Sequence, residues 1–518
     1  MSEAFSLLGE PLEAYKAQPP EPEMVGAQQE PAKRVKPINR SQIFWGEIDI
    51  DKLIEADHSA RGIWEMVNRL DLSRLYGKIK AVEGTSGQNS WDPRLLMALW
   101  IYGYSEGISS ARELSRMCGY EPGCQWLTAR EVINYHTLSD FRVRYKEELD
   151  EIFVQVLGLL SAEGLVELKR IAHDGTKIRA NAASHSFRRE QRIKEHLQLA
   201  REQVQAMGDP ESEQLSQRAI AARNRARNEK QQHLEQALKE LEELQKQRTE
   251  KEKPSVRVSE TDPQARVMKQ PNGGFGPSYN VQISTDAANG IIVAVDVTQA
   301  GNDCDQLIAA VEHIQANTGK TPEQMLTDGG YTMKNSNIET MDKAGIELNG
   351  PVVETNSEAS LKQRGVQPEF YPDQFTYDEA SATMSCPANK ILNLVRTDPQ
   401  DGRIEYSYQA SEADCVVCPW KNQCCPKVCS RTVVRKQDSP AVQAFRARMS
   451  TDEARKIYRL RAQIAEFPNA WIKDKLGLRQ FRLRSRIKVR AEAVLACLTY
   501  NIQQWLRLSW RQTVQAAA

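Results

Sequence analysis

The sequence has no net charge, no long apolar run and no charged-then-apolar leader. Its 69 Lys and Arg are balanced by 69 Asp and Glu, so overall charge by itself gives no sign of a polyanionic partner. No stretch of about 18 consecutive apolar residues occurs, a length below which a helix does not cross a bilayer. The expectation is therefore a chain that neither spans a membrane nor is exported, and that works in the cytoplasm. Ten cysteines are present. In a reducing interior, clustered cysteines read as metal ligands rather than disulfides.

At 518 residues, with 40% hydrophobic and 27% charged residues, the chain belongs to the soluble globular class and is long enough for two to four domains. The charge balance hides one uneven block. Arg431 to Arg490 holds 17 Lys and Arg against 5 Asp and Glu, a net +12. Such a block is either a solvated helical face or a surface that contacts phosphates.

Residues 1–40, rich in Pro, Glu and Ala, are expected to form a disordered tail. Residues 41–163 read as a helical domain. Trp91-Asp-Pro93 opens a helix with Leu95, Leu96, Leu99, Trp100 and Tyr104 at helical spacing. His136 to Arg142 opens another, with Ser139 as its cap and Arg142 and Arg144 behind it. Two readings stand: a helix-turn-helix DNA reader, or a small bundle that packs on its neighbour.

Leu168–Ala180 reads as a strand with Ile171 and His173 on one face and Ala172 and Asp174 on the other. Residues 187–253 interrupt it as a helical hairpin or coiled coil, with a turn at Gly208-Asp-Pro210 and Leu234, Leu238, Leu241 and Leu244 on the second arm. That insert holds either its own two arms together or a dimer. Strands then follow at Ser278–Thr285 and Ile291–Val297 around Gly290, a helix at Asn302–Gln315, and the short strand Met325-Leu326 ending on Asp328-Gly-Gly. A helix at Asn335–Ala344 and a strand at Gly345–Leu348 complete a mixed α/β sheet with helices on its faces. Asp328 at a strand's open end is either a plain turn residue or a metal ligand.

Residues 370–433 form a cysteine-rich insert. Cys386, the pair Cys415-x-x-Cys418 and Cys424 match a four-thiolate zinc site, with Cys425 or Cys429 as substitutes for the last; free thiols are the plainer reading. The last segment is helical and basic. Pro468 is expected to break or kink its first helix.

Taken in order, Asp174-Gly-Thr-Lys-Ile-Arg-Ala-Asn181, Tyr279-Asn-Val-Gln282, Thr327-Asp-Gly-Gly-Tyr331, the series Tyr458-x2-Arg461-x4-Glu466-x6-Lys473, Phe481-Arg-Leu-Arg and Tyr500-Asn501 resemble bacterial insertion-sequence transposases. These have an Asp-Asp-Glu catalytic core on a ribonuclease-H-like fold, and the likeness spans residues 40–508. It implies a core made of residues 164–350 and 445–510. It also implies Mg²⁺ or Mn²⁺ held by Asp174, Asp328 and Glu466, with cleavage and 3′-hydroxyl joining of DNA by in-line displacement at phosphorus. Phosphate contacts would come from Tyr458, Arg461 and Lys473, with Arg142, Arg144, Arg482 and Arg484 on DNA further out. The partners implied are double-stranded DNA, as terminal inverted repeats and target, and a second copy of the chain on that DNA in the bacterial nucleoid. Ser485 stands where relatives usually carry Gly. Glu492 and Asp474 compete with Glu466 as third acid, and Asp262, Asp286 and Asp296 are further acids of turns and strand ends. A zinc-containing DNA-binding factor that cuts nothing, and a nuclease that does not join ends, are the alternatives.

Overall fold

The computed structural model describes residues 47–79, 90–205, 217–353 and 357–517. The tail expected at residues 1–40 and the turn at Gly208-Asp-Pro210 lie outside them. The elements described below all belong to one unit, Asp49–Ala518.

Four of the N-terminal helices are α1 (Ser59–Asn68), α2 (Pro93–Ser105), α3 (Tyr135–Arg144) and α4 (Glu148–Ala162). Helix α2 starts where the sequence places it, because the Asp92 side chain accepts from the Arg94 N–H and Pro93 occupies the first turn. The cap of α3 is Asn134 and not Ser139, which lies inside the helix. Leu99, Trp100, Tyr104, Phe153 and Leu157 from these helices share one continuous apolar core with Val293, Val295, Leu495 and Leu498. The helices thus pack on the sheet, as the bundle reading requires.

The main sheet is built from β1 (Arg170–Arg179), β2 (Arg266–Lys269), β3 (Phe275–Asp286), β4 (Ile292–Thr298), β5 (Gln324–Leu326) and β6 (Glu347–Asn349). Long β3 pairs with β1 along one edge and with both β2 and β4 along the other, all antiparallel. Strands β1, β5 and β6 run parallel to one another. The two parallel connections use α7 (Leu307–Thr318) before β5 and α8 (Asn335–Lys343) before β6, as parallel neighbours demand. Helix α7 begins later than the sequence pattern suggests, after a loop at residues 299–306, and Ile308 on it is exposed. The result is a mixed α/β sheet of ribonuclease-H-like type.

Between β1 and β2 the chain leaves the sheet as α5 (Glu190–Gln205) and α6 (Gln217–Lys246). Ile193, Leu197 and Ala200 of α5 pack against Leu234, Ala237 and Leu241 of α6, so the leucine face is used within one chain. The base of this hairpin is tied by Phe187–Arg188 pairing with Val258–Ser259. A second, separate five-stranded antiparallel sheet spans residues 376–438 with its own apolar cluster.

After it come α9 (Asp452–Arg461), a π-helical turn at Ala462–Glu466, α10 (Phe467–Asp474) and α11 (Arg486–Trp505). Pro468 does not break this run. It sits in the first turn of α10, directly after the widened π turn, where its missing N–H and bulky ring are tolerated. Helix α11 is bolted to β4 by Asn501, whose Oδ1 accepts from the Ile292 N–H at 2.8 Å while its Nδ2 donates to the Ile292 carbonyl at 2.7 Å.

Ser485, just before α11, has φ 75° and ψ 144°, a region that disfavours any side chain. Ser485→Gly relieves that strain at the cost of a more flexible unfolded chain, and a net stabilisation of about 1 kcal/mol is expected. Urea unfolding of the two proteins checks it; equal midpoints would show that the backbone there is unstrained.

Candidate active site

The site begins with a register. Parallel pairing of β1 with β5 runs Arg170↔Gln324, Ile171↔Met325, Ala172↔Leu326 and then stops. Two residues further along each chain stand Asp174 and Asp328. Side chains alternate along a strand, so Asp174 lies on the same face as Ala172. Ala172 and Leu326 pack against Ala465, with Ile457 and Ile464 at the margin. This small apolar contact seats the π turn directly on the two strands and places Glu466 beside the acids.

Arg461 is the centre of the charges. Its guanidinium is 3.1 Å from Asp174 Oδ1 and 3.5 Å from Glu466 Oε1, and its side chain is only 12% exposed. In an ordinary α-helix, residues five apart diverge by about 140° around the axis. The π turn narrows that divergence and lets Arg461 and Glu466 meet. Glu466 itself is 64% exposed.

Asp174 Oδ2 accepts from Asn469 Nδ2 at 3.1 Å, and Oδ1 accepts from the Gly175 N–H at 3.0 Å. Burial pushes the Asp174 carboxyl up to about 6; Arg461 opposes the rise, while Asp328 and Asp303 add to it. Asp328 caps the short helix Gly329–Thr332, accepting from the Gly330 N–H at 2.9 Å. Burial raises the Tyr458 hydroxyl, and its charged neighbours are Arg461, Asp328, Asp174 and Glu466. Burial lowers the Lys473 ammonium, against the pull of Asp174 and Asp474. Asp174, Asp328, Glu466, Tyr458, Arg461 and Lys473 are therefore gathered in one place.

The competing acids are elsewhere. Glu492 is fully buried, accepting from the Arg482 and Leu483 N–H groups. Asp474 pairs with Arg479 at 2.6 Å. Asp262 accepts from the Tyr279 hydroxyl, Asp286 from the Leu168 N–H, and Asp296 from Arg490.

Of the outlying arginines, Arg144, Arg482 and Arg484 are exposed. Arg142 is not, and its reading as a DNA contact is corrected here. It is 4% exposed, lies 4.0 Å over the Trp100 ring, donates to Tyr104 Oη and the Ser109 carbonyl, and faces Glu492 at 3.6 Å. Its Nη1 makes these bonds inside the protein, and its Nε is buried without a partner.

Sequence reasoning passed over two polar residues at this site. Asn469 follows Glu466 by three positions and touches Asp174; its Oδ1 is buried without a hydrogen-bond partner. Asp303, in the loop before α7, accepts from Asn280 Nδ2 and Gln282 Nε2, both at 2.7 Å. Asn280 and Gln282 alternate on β3 within a quoted motif, which was the available signal; Asp303 has none in its own neighbourhood.

In the second sheet, Cys386, Cys415, Cys418, Cys424 and Cys425 line one cavity. The Lys390 N–H donates to Cys386 Sγ at 3.3 Å. Burial pushes the Cys424 thiol up to about 12. Cys425 lies against Cys415, and Cys429 is exposed on a neighbouring face. Among the described residues, no three His, Cys, Asp or Glu side chains converge closely enough to hold a metal as they stand. At the acids, Arg461 supplies positive charge to Asp174 and Glu466. The donor set is nevertheless that of a hard divalent ion: carboxylates on two adjacent strands, a third on a facing helix, and a buried unpaired amide oxygen on Asn469.

Residues 385–506 match the Transposase DDE domain family, and residues 48–144 match the Transposase domain (DUF772) family. Both matches are to transposase domains, and the Transposase DDE domain match takes in the second sheet and the helices that follow it. The DDE match covers Tyr458, Arg461, Glu466 and Lys473, and stops short of Asp174 and Asp328. DDE domains work with divalent metal. No curated protein matches the sequence. A cryo-EM structure of piggyBac transposase synaptic complex with hairpin DNA aligns over 90% of this chain and 75% of that one, at 7% identity and a TM-score of 0.29.

Two outcomes follow from the charges. Arg142→Ala strands Glu492 in the interior and is expected to cost about 3–5 kcal/mol, read by urea unfolding. Unchanged stability with weakened DNA binding would return Arg142 to the DNA surface. In EDTA, the raised Asp174 carboxyl means that the folded state holds its proton more tightly than the unfolded state does. Its burden on stability is absent below about pH 4 and complete above about pH 6. Asp174→Asn should therefore unfold later than wild type at pH 8, by up to about 3 kcal/mol, with the gap closing in acid. A gap independent of pH would contradict this.

Proposed function

We propose that this chain is a DDE transposase that cuts DNA at the terminal inverted repeats of its own element and joins the freed 3′-hydroxyl ends to target DNA. The observation that carries the reading is the β1–β5 register, which aligns Asp174 with Asp328 beneath the helix that bears Glu466. Asp174, Asp328 and Glu466 would hold Mg²⁺ or Mn²⁺. Their role would be to position that charge against the attacking and leaving oxygens at phosphorus, where a divalent ion would supply Lewis-acid stabilisation. The chain's own residues do the rest. Ala465 seats the Glu466 turn on the strands, and Arg461 offsets the charges of Asp174 and Glu466. With DNA present, Arg461, Tyr458 and Lys473 grip phosphates near the scissile bond. Exposed Arg482, Arg484 and Arg144 extend the contact along the duplex.

The cysteine cavity is read as a zinc site of Cys386, Cys415 and Cys418, completed by Cys424 or Cys425; its support is the gathering of five thiols around one cavity and the N–H donor on Cys386. Binding as a dimer on paired DNA ends, in the nucleoid, belongs to the same proposal. No described helix is long and apolar enough to cross a membrane.

The test is a plasmid carrying a marker between the DNA flanks of this gene, incubated with wild type, Asp328→Asn or Glu466→Gln in Mg²⁺. Wild type is expected to cut at the flanks and join the ends to new DNA, with both variants reduced to background while still binding. Wild type that binds the flanks but never cuts, in Mg²⁺ or Mn²⁺, would sink the catalytic reading and leave a DNA-binding factor. Cutting without joining would leave a nuclease.

A further inference from the structure

Gly175 directly follows Asp174, and the reason for a glycine there lies on the other side of the strand. A Cβ on Gly175 would fall 2.3 Å from Asp303 Oδ1 and 2.5 Å from Gln282 Nε2. The Asp303 carboxylate thus rests on the bare backbone beside Asp174. It also borders the Asp328 turn, with its Cβ 3.8 Å from where a Gly330 side chain would begin.

This carboxylate is held by a buried network. Gln282 Oε1 accepts from the Tyr331 hydroxyl at 2.7 Å and meets His173 Nε2 at 2.9 Å. His173 Nδ1 meets the Ser284 hydroxyl at 2.9 Å. Both ring nitrogens of buried His173 are thus engaged by neutral partners. One proton assignment satisfies every partner: Ser284 O–H donates to Nδ1, and Nε2–H donates to Gln282 Oε1. The oxygen end of Gln282 is then fully used, and its NH₂ must point at Asp303, which it does at 2.7 Å. Asn280 adds a second donor at 2.7 Å; its own Oδ1 is buried with no hydrogen-bond partner, on a residue with no exposed surface. Both donors converge on Oδ1 of Asp303. No described group hydrogen-bonds its Oδ2, and the residue as a whole is half-buried.

We propose that Asp303 is a fourth carboxylate of the divalent-cation centre, standing on the Gly175 face of β1 and reaching the centre alongside the Asp328 turn at Gly330. The proposal rests on the metal reading of Asp174 and Asp328. Three observations separate Asp303 from an incidental surface acid. Two amides buy its orientation at the expense of burying themselves. A buried histidine fixes one of those amides. A glycine keeps the approach open. Its Oδ2 is the atom left to meet a cation or that cation's water, adding one negative charge to the pull on the ion.

The experiment uses full-length protein and Mn²⁺ alone, with binding followed by electron paramagnetic resonance of the free ion. Asp303→Asn keeps an oxygen for Asn280 and Gln282 but removes the charge. The expectation is Mn²⁺ affinity about tenfold weaker, with thermal unfolding in EDTA unchanged or later than wild type. Gly175→Ala, which crowds Asp303 without altering any charge, should weaken Mn²⁺ similarly and add little in combination. Wild-type affinity in Asp303→Asn, or earlier unfolding with affinity intact, would overturn the proposal and leave Asp303 a structural residue. Asp174→Asn and Asp328→Asn tell the two readings apart. If both bind Mn²⁺ as wild type does, the metal reading itself fails; if both lose Mn²⁺ while Asp303→Asn keeps it, only the fourth carboxylate fails.

Discussion

Three residue pairs of parallel ladder between β1 and β5 set the geometry of everything at the site. Strand side chains alternate with a period of two, so a slip of one residue would turn Asp174 to the opposite face and leave Asp328 without a neighbour. The ladder is short, and it is held in register from outside. Long antiparallel pairing of β1 with β3 grips it on one edge, β6 lies on the other side of β5, and Ala465 presses on Ala172 and Leu326 from above. The acids thus stand at the end of a stiff platform. That is where preorganised charge does most for a reaction and where the surrounding backbone has least freedom to relax.

Gathering carboxylates in a partly buried place works against stability unless something offsets their repulsion. Arg461 does so for Asp174 and Glu466, and backbone N–H groups do so for Asp174 and Asp328. On the far side of β1 the polar groups are neutral or amide-solvated, as with His173, Gln282 and Asn280. The basic segment that the composition shows as one block divides by burial. Arg461 turns inward, Arg490 pairs with Asp150 and Asp296, and Arg482 and Arg484 stay outside.

Much of this was legible in the sequence. Alternation marked β3 and β4 around Gly290, and three- and four-residue spacing marked α2, α6 and α7 within a few residues. Asp174 and Asp328 could be singled out because each sits in a short motif at a strand. Their alignment could not, since register is set by partners far along the chain. Asn469 meets Asp174 across a separation of 295 residues, and Asp303 finds its strand partners only after the sheet has formed. Arg142 shows the opposite failure. An arginine near a helix end reads as surface charge, and only packing against Trp100 and Glu492 shows it to be interior. The π turn left no compositional trace either. One extra residue between Arg461 and Glu466 looks like noise until the widened turn puts both on one side.

The two-residue ladder Phe187–Arg188 with Val258–Ser259 has a further meaning. It brings the departing and returning strands of the helical hairpin side by side, so the hairpin joins the core at two adjacent attachment points, steadied by the pair that Glu240 of α6 makes with Arg266 on β2. Whatever is mounted on them, long or short, makes the same demand on loop closure. The hairpin's apolar cluster is likewise its own and borrows nothing from the sheet. The hairpin is therefore a replaceable fitting on a fixed socket. The ladder thus separates the length of the hairpin from the register that Asp174 keeps with its sheet partners.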